Sequence, residues 1–312
     1  MNLHHLLVPI APEQAINETL HHAFRFADMH GLHVTLLSVI EDLAEFKDIH
    51  RHTGTTLDML DKALKVYQSQ LVQQQQELAQ RYPHIVFDTK IRVGVPYIEM
   101  IKAASDTQAD MIVIDSHRGN KQAPCQQGSN TLNLMRKSEV PIWSISTTLT
   151  PIQNVLVAID LTNQEYQDFN ATLVSLAIAF CASIGAELTL CHAWRLESEG
   201  FLRKWSGYQD IDIALLSKKM RQERTERMEA LLQPHATSTV NKQVCLLEGE
   251  ARDCLPQYIN DHDVDLVILG SLSRTGIAGF LMGNTAESIL NQIHCSVITL
   301  KPESFHSPVL PS

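Results

Sequence analysis

Leu266-Val267-Ile268-Leu269-Gly270-Ser271-Leu272-Ser273-Arg274-Thr275-Gly276-Ile277-Ala278-Gly279-Phe280-Leu281-Met282-Gly283-Asn284-Thr285-Ala286-Glu287 reads as a buried strand, a glycine-dotted loop and the start of a helix. The strand is a short unbroken apolar run, the pattern of a parallel strand covered on both faces. Glycine is expected in the loop where the backbone turns with positive φ or approaches a ligand closely. After Gly283-Asn284-Thr285 the sequence predicts a helix from Ala286 to about His294, whose unpaired N–H groups and positive dipole end suit an anion. The same residues admit a reading without any ligand. Asn284 is a good N-cap, and Glu287 three positions on completes a capping box.

Outward from this stretch, the chain is one pattern written twice. In the first half, strands are predicted at Leu6–Ile10, Val34–Ile40, Ile85–Val93, Met111–Asp115 and Pro141–Ser146. Helices separate them: Glu13–His30 closed by Gly31, a helix through Leu57, Leu60, Leu64, Tyr67, Leu71 and Leu78 ended by Pro83, then Tyr97–Asp106 and Ser129–Lys137. The second half repeats the order with strands Val155–Asp160, Leu188–Trp194, Gln243–Leu247, Leu266–Leu269 and Val297–Lys301. Its helices are Tyr166–Ile184 closed by Gly185, Ile213–Leu232, Asp253–Asn260 and Ala286–His294. Ile112 aligns with Val267, Gly128 with Gly283 and Pro141 with Ser296, all at one offset (267 − 112 = 155). Strands alternating with helices imply a parallel sheet with right-handed crossovers. The expected architecture is α/β, with two tandem domains, 1–150 and 151–312, each a five-stranded parallel sheet flanked by helices.

Composition narrows the partners. A net charge of −10 without a Lys/Arg cluster opposes binding to a phosphate backbone, so nucleic acid is not an expected partner. No apolar run approaches the roughly 18 residues of a membrane span, and Met1–Ile10 lacks a basic start and a cleavage site. The cytoplasm is the expected compartment. The six cysteines contain no C-x-x-C pair and read as reduced, mostly buried thiols.

With the repeat in hand, the residues resemble the universal stress protein family in its tandem form, over nearly the whole chain. That resemblance implies adenine nucleotide alpha hydrolase-like domains. It also implies a nucleotide motif, G-x2-G-x9-G-[S/T] after the fourth strand, matched here by Gly270-x2-Ser273-x9-Gly283-Asn284. Two positions depart from it: Ser273 stands for the second glycine and Asn284 for Ser or Thr. By the same resemblance Asp160, ending the first strand of the second domain, meets the adenosine end of ATP. Ala193 lines the base pocket, Leu269 precedes the cradle, and Gly270, Ser273, Arg274, Gly283, Asn284 and Thr285 face the phosphates. Without a ligand, Asp160 reads as a helix cap or a turn with Thr162 and Asn163. In the first domain Ala11, Asp115 and Arg118 replace the corresponding Asp and two glycines, while Gly128-Ser129 keeps the last pair, so a degenerate pocket is expected there.

The expected function is therefore a cytoplasmic stress-response protein whose second domain binds ATP, with or without Mg2+, or a related phosphate-bearing ligand. The resemblance further implies pairing of the fifth strands, Pro141–Ser146 and Ser296–Lys301, within the chain or in a homodimer. The alternatives are an interaction or scaffold protein with vestigial pockets, and a weak ATP hydrolase. No residue is assigned to catalysis. The fifteen histidines show no H-E-x-x-H spacing and are read as surface or capping residues, not metal ligands. Cys191 and His192 are strand neighbours facing opposite sides, so they do not form a nucleophile and base. Lys301-Pro302 after the last strand fails as a receiver-domain feature because no Asp ends the third strand. Phe201, Leu202, Trp205 and Tyr208 in the connection Arg195–Asp212 form a lid, a partner segment or a packing element.

Overall fold

The computed structural model describes residues 3–11, 16, 18–41, 57–115, 128–146, 151–162, 166–196, 201, 204, 209–271 and 282–311. They form two compact units, one of residues 2–149, 271–283 and 296–312, the other of residues 150–270 and 284–295.

In the first unit, strands β1 (His5–Pro9), β2 (His33–Ile40), β3 (Val86–Val93), β4 (Met111–Asp115) and β5 (Ile142–Ile145) run parallel in the order β3-β2-β1-β4-β5. Helices α1 (Leu20–Met29), α2 (Leu57–Arg81), α3 (Pro96–Thr107) and α4 (Ser129–Lys137) alternate with them. Leu6, Leu7, Val8, Leu36, Leu37, Met111, Ile112 and Val113 are buried without alternation. Both faces of the sheet are thus covered, which is why these strands read as continuous apolar runs. Strand β10 (Ser296–Leu300) belongs to this unit and pairs antiparallel with β5, Ile298 opposite Trp143. The fifth strands of the two repeats therefore cover each other's edge, as expected.

The second unit holds β6 (Asn154–Ala158), β7 (Glu187–Trp194), β8 (Lys242–Glu248) and β9 (Leu266–Gly270), parallel, in the order β9-β6-β7-β8. Its helices are α5 (Gln167–Ile184), α6 (Asp210–Leu232), α7 (Ala251–Asp261) and α8 (Asn284–Leu290). Gly185 closes α5 at φ 73° and Gly31 follows α1 at φ 59°, the left-handed conformation that glycine adopts without strain. By length and composition α5 is apolar enough to cross a membrane. Its Leu173, Val174, Ala177, Ile178, Phe180 and Cys181 are buried in the protein core instead.

Some boundaries differ from the sequence expectation. Helix α6 starts at Asp210, not Ile213, because the Gln209 N–H donates to the Asp212 carboxylate (3.0 Å) and fixes an earlier first turn. Helix α8 ends at Leu290, where the Gln292 side-chain amide donates to the Ser288 carbonyl (2.9 Å) and to the Arg252 carbonyl (3.1 Å), closing the helix early. Helix α1 begins at Leu20, after a turn at Glu18–Thr19. The thiols are less buried than expected. Cys181 and Cys191 are buried, but Cys245, Cys254 and Cys295 on strand and helix edges are half-buried; Cys125 lies outside the described residues.

Candidate functional site

Register brings three of the sequence-predicted residues to one place. Ala158 of β6 pairs with Leu269 of β9 on one side and with Cys191 of β7 on the other. Gly270, Asp160 and Ala193 thus follow at the carboxyl ends of three adjacent parallel strands, where ligands bind in open α/β sheets. All three are half-buried, while Leu269 is 3% exposed and packs in the core. Asn284 and Thr285 are exposed in the first turn of α8, and Gly283 precedes it. Ser273 and Arg274 lie outside the described residues.

The Asp160 carboxylate closes a local turn. Its Oδ1 accepts from the Thr162 N–H (2.9 Å) and the Thr162 hydroxyl (2.6 Å). This is the turn that the sequence offers for Asp160 in the absence of a ligand; Asn163 lies outside the described residues. The backbone of Asp160 is clamped by a residue that the sequence reading missed. Asn170, 3% exposed on α5, donates its amide to the Asp160 carbonyl (2.7 Å) and accepts the Asp160 N–H (3.3 Å). Its position three and four residues before Leu173 and Val174, on the apolar face of the helix, was the available signal.

Gly270 has a reason to be glycine besides those expected. Its backbone is not left-handed; instead a Cβ there would stand 2.5 Å from Cε1 of Phe169, on the first turn of α5. The aromatic ring lies against the face of Gly270 where a side chain would otherwise stand. Below the Asp160 turn, a cavity of about 160 Å³ is lined by Leu161, Gln167, Asn170, Arg227, Ala230 and Leu231. Sites for whole small-molecule ligands run to roughly 300–1,000 Å³, so this cavity alone does not hold a nucleotide.

On the neighbouring strand His192 is 1% exposed and donates from Nδ1 to the Ile159 carbonyl (3.1 Å). That carbonyl can only accept, so Nδ1 carries the proton and Nε2, which meets no hydrogen-bond partner among the described residues, keeps its lone pair. Burial holds the imidazole below its ordinary pKa, in the neutral form. Cys191 stands opposite Cys245 of β8 in register, and as strand neighbours Cys191 and His192 face opposite sides of the sheet. In the first unit, Lys301 donates to the Ser271 hydroxyl (3.0 Å) and stands 4.5 Å from the centre of the Phe305 ring. Burial pushes its ammonium down to about 8.

The first repeat carries the equivalent positions with different chemistry. Asp115 ends β4 as Gly270 ends β9, and Gly128 precedes α4 as Gly283 precedes α8. Ala11 follows β1 where Asp160 follows β6, and Arg118 lies outside the described residues. A carboxylate held about 4 Å from a phosphate charge would cost on the order of 4 kcal/mol at an effective dielectric of about 20. Of the aromatic segment, Phe201 is 61% exposed and Leu202, Trp205 and Tyr208 lie outside the described residues.

Comparison with known proteins gives one consistent answer. The model of the Universal stress protein family matches residues 2–145 and again 151–301. Universal stress protein E of Photorhabdus laumondii is 24% identical over 319 residues, spanning 99% of this chain and 98% of its own. Among solved structures, a Pseudomonas aeruginosa protein of unknown function superposes with a TM-score of 0.68 at 20% identity, covering 96% of this chain and 93% of its own. A universal stress protein from Archaeoglobus fulgidus gives 0.61 at 16% identity, covering 95% and 98%. At these identities the solved structures speak for the fold alone.

Proposed function

The chain belongs to the universal stress protein family, with two copies of its domain in tandem, and from that premise we propose that the second copy binds ATP or a related phosphate-bearing ligand while the first does not. The observation that carries the reading is the convergence of Asp160, Ala193 and Gly270 at the carboxyl ends of β6, β7 and β9. The Asp160 carboxylate would meet the ribose or base, and the small Ala193 side chain would leave room beside it. Gly283, Asn284 and Thr285, with Ser273 and Arg274, would hold the phosphates. The Phe169 ring, packed where a side chain of residue 270 would stand, fits this reading poorly.

Within this reading the protein acts in the cytoplasm, and a net charge of −10 keeps it off nucleic acid. The domains are taken as 1–150 and 151–312. Ligand binding, not turnover, is the proposed activity. A second reading, an interaction protein with vestigial pockets, is favoured by the same Phe169 ring. The two readings separate in a calorimetric titration with ATP and Mg2+. Saturable binding is expected for the wild type, and Asp160→Asn, which keeps an acceptor for Thr162, is expected to weaken it about tenfold without lowering Tm. Absence of saturable wild-type binding selects the vestigial pocket.

A further inference from the structure

A second cluster of reactive groups lies on the sheet face covered by α7. Cys191 of β7 and Cys245 of β8 are register partners, so their side chains leave the same face of the sheet. Neighbouring strands are about 4.8 Å apart, inside the Cα separation of about 4.4–6.8 Å that a disulfide spans. Cys191 is fully buried, whereas Cys245 is half-buried on β8, the last strand of the order. As direct cross-strand neighbours, each thiol is the first influence on the other's acidity. Tyr258 of α7 stands beside the pair, its hydroxyl near enough to bear on the Cys245 thiol. Thr189 is held by the Gln243 amide (2.8 Å). His262 stacks on the Tyr258 ring with centroids 3.8 Å apart and donates from Nδ1 to the Tyr258 carbonyl (2.9 Å). Cys254 stands one helical turn before Tyr258 on the same helix face. Among the described residues no three His, Cys, Asp or Glu side chains are grouped to hold a metal ion.

We propose that Cys245 is a peroxide-reactive thiol and Cys191 its resolving partner, so that the chain carries a reversible Cys191–Cys245 disulfide site. The Cys245 thiolate attacks one oxygen of a hydroperoxide, forming an S–O bond as the O–O bond breaks; the sulfur becomes a sulfenic acid and the peroxide leaves as an alcohol, or as water from hydrogen peroxide. The Cys191 sulfur then attacks the Cys245 sulfur. The S–O bond breaks and hydroxide departs with the Cys191 proton as water. The two thiols have then given two electrons and two protons to one peroxide.

The surroundings select Cys245 for the first step. The Cys191 S–H is the largest influence holding the Cys245 thiol below its ordinary pKa, and the Tyr258 O–H and the charges of His262 and Arg221 act in the same direction, against burial. Cys191 is pushed up by its neighbour Cys245 and by burial, so it remains the protonated partner. Burial also pushes up Cys254, and takes Cys181 to about 12. The thiolate is the nucleophile, so peroxide should find Cys245 first.

The test is stoichiometric hydrogen peroxide added to the full chain, read by intact mass and peptide mapping with and without dimedone. The wild type is expected to lose two hydrogens, recovered by dithiothreitol, with Cys191 and Cys245 in one linked peptide pair. Cys191→Ser is expected to trap a dimedone adduct on Cys245, and Tyr258→Phe, which removes a donor without opening the core, to slow Cys245 oxidation about fivefold. Cys254→Ser should react like the wild type. With iodoacetamide, Cys245 should reach half its maximal rate below about pH 8.5, the midpoint of an ordinary thiol. First modification at Cys254 or Cys295, or an unchanged peroxide response in Cys245→Ser, would overturn the proposal.

Discussion

Gly283→Glu is expected to weaken ATP binding roughly a thousandfold while the protein still folds. Gly283 immediately precedes α8, and on the proposed reading its backbone lies against phosphate. A carboxylate placed about 4 Å from a phosphate charge costs on the order of 4 kcal/mol at an effective dielectric of about 20, and about 1.4 kcal/mol is a factor of ten in affinity. The same carboxylate stands at the positive end of a helix, where a negative side chain stabilises by about 0.3–1 kcal/mol. Loss of affinity with unchanged circular dichroism and unchanged or raised Tm is therefore the expected pair of results. Unchanged ATP affinity in this variant removes Gly283 from the site.

Asn170→Leu is expected to cost about 2–4 kcal/mol of stability. The substitution keeps the approximate shape of the side chain but removes both bonds to the Asp160 backbone, at 2.7 and 3.3 Å. Each lost hydrogen bond is worth about 0.5–1.5 kcal/mol, and a buried group left unpartnered adds about 1–3 kcal/mol. Leucine is a better helix former and more apolar than asparagine, which offsets part of the loss. Urea denaturation measures the difference, with m unchanged if the folded state is intact. A change within about 0.5 kcal/mol would show that the clamp contributes little. ATP binding should also fall, because the clamp fixes the strand end that carries Asp160.

The architecture was legible because buried parallel strands are written as unbroken apolar runs, and because the 155-residue offset exposes two copies of one pattern (267 − 112). Helix ends were less legible. Asp212 closing the first turn of α6 and Gln292 capping the end of α8 act through single side chains that do not alter the apolar period. At the candidate site, the placement of Asp160, Ala193 and Gly270 followed from strand order, but the reason for Gly270 did not. Phe169 lies far away in sequence, and nothing local announces that its ring will rest on that glycine. Asn170 was hidden in the same way, as a polar residue on an apolar helix face whose partner is a backbone ten positions earlier. The pairing of Cys191 with Cys245 depends on register between β7 and β8, which hydrophobic pattern alone does not set to the residue.

Native mass spectrometry of the full chain with ATP and Mg2+ tests the central claim most directly, because it counts ligands per chain. One nucleotide per chain is the predicted result, lost in Gly283→Glu. Two nucleotides per chain would contradict the claim by showing that Asp115 and Ala11 do not disable the first repeat, and none at saturating ATP would contradict it by showing that the second is vestigial.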